Sequence, residues 1–180
     1  VGRSMPKIFG IVNITSDSFS DGGQYLAPEK TLAHAQQLVD TGADVLDIGP
    51  ASSHPDAGAV TPAEEIARLQ GVWSLLKALP AGLSVDSFQI ETQRWAIAHG
   101  TDWLNDINGF AEPSLYDELA DASCQLVVMH AIQSKGIARR APAPDGDIWD
   151  HILRFFETRL KVLEDAGIAR DRLVIDPGMG

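Results

Sequence analysis

Short, nearly all-apolar runs alternate along the chain with longer segments in which apolar residues recur every three or four positions. The runs Lys7–Val12, Val45–Ile48, Leu83–Val85, Trp103–Asn105, Leu126–Met129 and Leu173–Ile175 predict strands. Their lack of polar alternation predicts parallel strands covered on both faces. Between them, Leu32, Ala35 and Val39 share a helical face that stops at Gly42. Thr61, Pro62 and Glu64 form a capping box with proline at the first helical position, and Ile66, Leu69, Trp73 and Leu76 follow at helical spacing. Ile148, Ile152, Phe155, Phe156, Leu160 and Leu163 make a further apolar face that ends at Gly167. Trp73, Trp95 and Trp149 fall on helix patterns and read as packing residues, whereas Trp103 lies in a strand pattern and reads as interior filling. The stretch Ser134–Gly146 is the longest irregular piece and reads as a surface loop, with Arg139 and Arg140 a solvated pair. No repeat by residue identity and no linker interrupts the pattern, so residues 1–180 read as one domain.

Repeated βα units allow an open doubly wound sheet or a (β/α)8 barrel. An open sheet binds its ligand mainly at one switch point, whereas a barrel gathers residues from many strand ends onto one face. Polar residues close or follow the strands all along this chain: Asn13, Ser52-Ser53-His54, Asp86-Ser87, Asn105-Asp106, His130 and Asp176. That distribution predicts an α/β fold of the (β/α)8 TIM barrel type. A complete barrel has eight strands and typically ~250 residues. The 180 residues therefore read as roughly the first six βα units of a barrel, incomplete at the C-terminal end. Two unpaired parallel edges invite association, so this piece alone is expected to fold poorly, to oligomerise or to be inactive.

Charge narrows the function classes. With 14 basic against 25 acidic residues the formal charge is −11, which argues against nucleic acid and against an anionic membrane surface as partners. No apolar run reaches the ~20 residues of a membrane span. The single cysteine, Cys124, sits in an apolar run and reads as a buried inert thiol. Val1-Gly2-Arg3-Ser4 is too short for a signal peptide. The expected location is the cytoplasm.

The densest chemistry follows the first strand, where Asn13-Ile14-Thr15-Ser16-Asp17-Ser18-Phe19-Ser20-Asp21-Gly22-Gly23 puts an amide, hydroxyls, carboxylates, an aromatic ring and paired glycines into one loop. A structural loop needs Gly, Ser or Asp for its turns, but not a strand-terminal Asn or a Phe inside the polar run. The mixture suits a loop that binds a metal–phosphate and closes over a flat substrate. No His/Cys cluster has zinc spacing, and Gly22-Gly23 lacks the spacing of a dinucleotide fingerprint.

From Lys7 to Gly180 the chain resembles the dihydropteroate synthase family. The resemblance rests on the strand-one Asn13 with its Thr-x-Asp-Ser-Phe-Ser-Asp-Gly-Gly loop, Ser84-Val85-Asp86-Ser87, Asn105-Asp106-Ile107-Asn108-Gly109, Val128-Met129-His130 and Asp176-Pro177-Gly178, in this order and spacing. It implies a barrel that joins 4-aminobenzoate to a dihydropterin diphosphate and expels pyrophosphate, acting as a homodimer when full length. It also implies that Asp86, Asn105, Met129 and Asp176 bind the pterin, and that Asn13 serves magnesium and the pyrophosphate. Asp17, Phe19, Ser53 and His54 would then complete the catalytic loops. A buried carboxylate suits a pterin because it accepts both the amino group and the ring N–H of one edge. The alternative for a single strand-end Asp is a cap or turn former. Met129 fits ordinary core packing nearly as well as the pterin face, and His130 reads as a hydrogen-bonded barrel histidine. The runner-up family is a pterin-binding barrel that transfers a methyl group from methyl-tetrahydrofolate to a corrinoid protein; an inactive pterin-binding fragment is the third reading.

One segment departs from the common pattern. Where the family usually carries Gly-Glu-Ser-Thr-Arg-Pro-Gly after strand two, this chain has Gly49-Pro50-Ala51-Ser52-Ser53-His54. Ser53 replaces the threonine hydroxyl, but His54 offers neither the permanent charge nor the bidentate fork of arginine. This sequence type resembles the sulfonamide-resistant branch of the family.

Overall fold

The computed structural model describes residues 5–14, 26–51, 60–131 and 147–178. Strands and helices alternate: β1 (Phe9–Asn13), α1 (Leu26–Asp40), β2 (Val45–Gly49), α2 (Pro62–Leu76), β3 (Gly82–Asp86), α3 (Ile90–Ala98), β4 (Trp103–Asp106), α4 (Tyr116–Asp121), β5 (Gln125–Met129), α5 (Ile148–Asp165) and β6 (Leu173–Asp176). All six strands are parallel and lie in the order β1-β2-β3-β4-β5-β6. A doubly wound sheet reverses its strand order at the switch point. Here each strand pairs with its sequence neighbour, which is the winding of a (β/α)8 barrel.

The predicted helix signals act as read. Thr61 Oγ1 accepts the Glu64 backbone N–H at 3.3 Å, and Glu64 Oε2 accepts the Thr61 N–H at 2.8 Å, closing the capping box of α2. Gly42, at φ 107°, and Gly167, at φ 90°, follow α1 and α5 in the left-handed region that stops a helix. The short helices α3 and α4 carry no comparable apolar stripe. The core lies between sheet and helices: Val12, Leu46, Ile48, Leu83, Val85, Leu104, Leu126 and Val128 from the strands meet Leu69, Leu76, Leu119, Phe156, Leu160 and Leu163 from the helices. Cys124 is buried there and burial pushes its thiol pKa up, which keeps it protonated and inert. Trp149 is a correction: at 57% exposed it is no packing residue, because it stands on the first turn of α5 away from the sheet. Trp103 meets the inward-facing Phe9 edge to face at 5.1 Å, as interior filling requires.

Five of the strands extend one residue beyond the apolar runs, to Asn13, Gly49, Asp86, Asp106 and Asp176. Polar side chains mark a run's end by hydropathy, yet their backbones still pair with the neighbouring strand. Asn13, Asp86, Asp106 and Asp176 therefore sit on the sheet itself, not on loops, which fixes them more tightly.

Candidate functional site

Register fixes which residues share a face. Asn13 pairs with Gly49, Asp86 with Asn105, Asn105 with Val127, and Met129 with Asp176. Side chains alternate along a strand, and the neighbours Val12, Ile48, Val85, Leu104 and Val128 are buried against the helices. Asn13, Asp86, Asn105, Met129 and Asp176 therefore all face the opposite, inner side at the carboxyl end of the sheet. Asp17, Phe19, Ser53 and His54 lie outside the described residues.

Gly49 makes room for Asn13. A Cβ at position 49 would lie 2.9 Å from the Asn13 amide oxygen, too close for any real contact. The base of the second loop is held by Arg68, whose guanidinium donates to the Pro50 carbonyl at 2.7 Å. Among the described residues no group of three or more His, Cys, Asp or Glu side chains could hold a metal ion. The donor set on offer is instead the single Asn13 oxygen, which suits a cation that keeps waters and shares a substrate phosphate.

Asp86 carries a strongly shifted carboxyl. Its side chain meets solvent at the sheet end, yet protein atoms crowd the carboxyl. Desolvation, then the nearby carboxylates of Asp47, Asp106 and Glu65, push its pKa up to about 7. Two of those neighbours are structural. Asp106 is 3% exposed and accepts the backbone N–H of Asn108 at 2.7 Å and of Phe110 at 3.1 Å, plus the Gln93 side-chain amide at 3.0 Å. It thereby holds the turn through Gly109 and Phe110, both with positive φ. Glu65, 2% exposed on α2, accepts the Ser87 hydroxyl at 2.6 Å, which ties the residue after Asp86 to the helix layer. The third neighbour, Asp47, lies mid-strand on β2, an acid inside the apolar run Val45–Ile48. Its Oδ2 accepts the Asn105 side-chain N–H at 3.2 Å. Burial raises its carboxyl above the usual range, while the Ser84 hydroxyl and Asn105 amide pull the other way.

At the far strands both readings of Asp176 hold together. Its Oδ1 accepts the Gly178 backbone N–H at 2.8 Å, so it does form the turn. That bond uses one of two carboxylate oxygens. Gly178, at φ 69°, leaves no space for a side chain, because a Cβ would collide with the His130 carbonyl and press on the Met129 methyl. His130 is 3% exposed. It packs against the rings of His151, Phe155 and Phe156, and its main-chain N–H donates to the Asp176 carbonyl at 2.8 Å. Burial holds its imidazole below the ordinary range, with a backbone hydrogen bond to Pro177 acting against and His151 acting with that shift. Its role is to fasten β5 to the β6 turn. A cavity of about 530 Å³ runs along α5 beside His151, Arg154 and Phe155, and none of the inner-facing residues lines it.

The family model for "Pterin binding enzyme" matches residues 9–180. Dihydropteroate synthase type-2 of Escherichia coli is 56% identical over 173 residues, which is 96% of this chain and 64% of that protein. Dihydropteroate synthase type-1 of Mycolicibacterium fortuitum is 48% identical over 180 residues, 99% of this chain and 63% of that protein. The chain thus spans less than two thirds of the length of these relatives. Among solved structures, Xanthomonas albilineans dihydropteroate synthase with 4-aminobenzoic acid aligns at TM-score 0.83 and 40% identity, covering 97% of this chain and 62% of that one. The same enzyme in complex with 7,8-dihydropteroate aligns at TM-score 0.79 and 38% identity, covering 100% and 63%. Matched along nearly its whole length in both sequence and fold, the chain belongs to the pterin binding enzyme family, among the dihydropteroate synthases.

Proposed function

We propose that the complete protein is a dihydropteroate synthase, condensing a 6-hydroxymethyl-dihydropterin diphosphate with 4-aminobenzoate and releasing pyrophosphate. One observation carries the reading: Asp86, Asn105 and Asp176 lie on one inner face at the carboxyl end of a barrel-wound sheet, where their acceptors suit the N–H edge of a pterin. The solved relatives with 4-aminobenzoic acid and 7,8-dihydropteroate support the substrate pair. In the reaction the pterin methylene–oxygen bond breaks and its electron pair leaves with pyrophosphate. The amine lone pair forms the new carbon–nitrogen bond, and the nitrogen then loses a proton to solvent. An arylamine is already a neutral nucleophile, so the protein's task is to hold the two rings and stabilise the departing charge. Asp86 and Asp176 orient the pterin, Met129 covers its face, and Asp17, Phe19, Ser53 and His54 serve the loops that close over pyrophosphate and arylamine. The setting is cytoplasmic and the assembly a homodimer. The test is a mixture of the complete protein, both substrates and magnesium: pyrophosphate and dihydropteroate should appear in equal amounts, and their absence above background defeats the proposal.

Magnesium fits this site through the Asn13 oxygen that Gly49 leaves room for. When bound, it would supply positive charge beside the pyrophosphate. Gly49→Ala should displace the Asn13 amide and lower turnover on the order of tenfold or more, while binding of 6-hydroxymethylpterin, which carries no phosphate, stays within twofold of wild type (roughly 0.4 kcal/mol). Calorimetry beside steady-state kinetics distinguishes the two.

Weak sulfonamide inhibition is part of the same proposal. A sulfonamide imitates 4-aminobenzoate but is bulkier beyond the ring, so a loop wall that clashes only with the larger molecule discriminates between them. The Pro50–His54 segment is the departure from the common family sequence that would supply such a wall. Inhibition by sulfamethoxazole, divided by the Michaelis constant for 4-aminobenzoate, should be much weaker than for a drug-sensitive synthase. Equal ratios would remove this part and leave the synthase reading standing.

A further inference from the structure

We propose that Asp47 is a positioning residue that fixes which end of the Asn105 amide faces the pterin. The inference deepens the synthase reading and rests on it for the identity of the ligand. Asp47 sits on the inner face of β2, paired with Ser84, one row deeper than Asp86. From there it reaches across β3 to Asn105 on β4, 58 residues away in sequence, at 3.2 Å. An ionised carboxylate only accepts hydrogen bonds, whereas an amide has one accepting and one donating end. Facing Asp47, the Asn105 amide must turn its NH2 group down toward the carboxylate. Its carbonyl oxygen is then left facing away.

A second observation points the same way. The Asn105 Oδ1 is buried without a hydrogen-bond partner. An unmet buried acceptor is costly, and in native proteins such a group is met by a ligand or by water. Asn105 pairs with Asp86 in the register of the sheet, so a ligand that bonds Asp86 through one N–H can present a second to Asn105. Asp47 thereby turns the Asn105 oxygen toward the ligand and selects a heterocycle edge that offers an N–H group at that position. Without the negative charge beneath it, Asn105 could rotate by half a turn and present its NH2 instead, which the same edge would repel. Ser84 cannot replace Asp47 in this, because a hydroxyl can donate as well as accept.

The test uses the complete protein and has two readouts. The first needs no ligand: the Asn105 side-chain NH2 resonances in 15N NMR, assigned by their loss in Asn105→Ala. They should show slow, hydrogen-bonded exchange in wild type and fast exchange in Asp47→Ala. The second is calorimetry with 6-hydroxymethylpterin on wild type, Asp47→Asn, Asn105→Ala and the double variant, with thermal melts as the check on folding. Asp47→Asn should weaken pterin binding about tenfold in the wild-type background and less than twofold when Asn105 is already alanine. Such non-additivity marks action through Asn105; a general structural loss would give equal factors in both backgrounds. Equal factors, or unchanged NH2 exchange in Asp47→Ala, would overturn the proposal. Wild-type protein with the protected NH2 but no affinity for the pterin would instead overturn the synthase reading and leave Asp47 as the group that orients Asn105.

Discussion

Asp86→Ala is expected to weaken binding of 6-hydroxymethylpterin by roughly 10- to 150-fold, the equivalent of ~1.5–3 kcal/mol for a hydrogen bond to a charged group. It should do so without destabilising the fold. Asp86 shows why the two effects separate. Its carboxyl is crowded by Asp47, Asp106 and Glu65, which with desolvation raise its pKa from 3.8 to about 7. Between those values the unfolded carboxyl has ionised while the folded one keeps its proton. The folded state then binds more protons, and stability falls as pH rises through that window. Asp86→Asn should therefore melt higher than wild type at pH 8 and lose that advantage toward pH 4. Pterin affinity runs the other way, because only the ionised carboxylate accepts two N–H groups. Wild-type affinity should climb as pH rises through about 7, and Asp86→Asn should flatten the profile. Calorimetry and thermal melts across pH 5 to 8.5 check both slopes.

The acid twenty residues further on should behave in the opposite manner. Asp106→Ala removes the acceptor of the Asn108 and Phe110 backbone N–H groups and of the Gln93 amide, in a side chain 3% exposed. Each orphaned buried donor costs ~1–3 kcal/mol, so the variant should lose roughly 3 kcal/mol or more. Two pressures offset part of that: its own raised carboxyl, driven first by burial, and the relief it gives Asp86. Chemical denaturation should show the loss directly. Two neighbouring strand-end carboxylates, one whose loss spares stability and one whose loss does not, separate a ligand-facing acid from an acid that holds a turn.

Hydropathy located the six strands because parallel strands covered by helices are nearly continuous apolar runs. The polar residues at their ends were legible for the same reason: Asn13, Asp86, Asn105 and Asp176 each interrupt or end a run that the core would otherwise extend. Two things were not legible. Trp149 matched a helical pattern, but periodicity gives the face of a helix only where the pattern is anchored, and the first turn of α5 is not. Asp47 and Glu65 were invisible because their partners, Asn105 and Ser87, are distant in sequence. Only the register of the sheet brings them together. An acid inside a strand's apolar run, as at Val45-Leu46-Asp47-Ile48, is the one sequence signal that could have drawn attention to the first of them.

The position of a bound pterin is the most direct test of this site. A crystal structure of the complete protein with 6-hydroxymethylpterin measures it. The expected result is the N–H edge of the heterocycle within about 2.7–3.2 Å of the Asp86 and Asp176 carboxylates, with the Asn105 carbonyl turned toward it and Met129 against its face. A pterin bound along α5 beside His151 and Arg154, or one whose N–H edge faces away from these carboxylates, would contradict it.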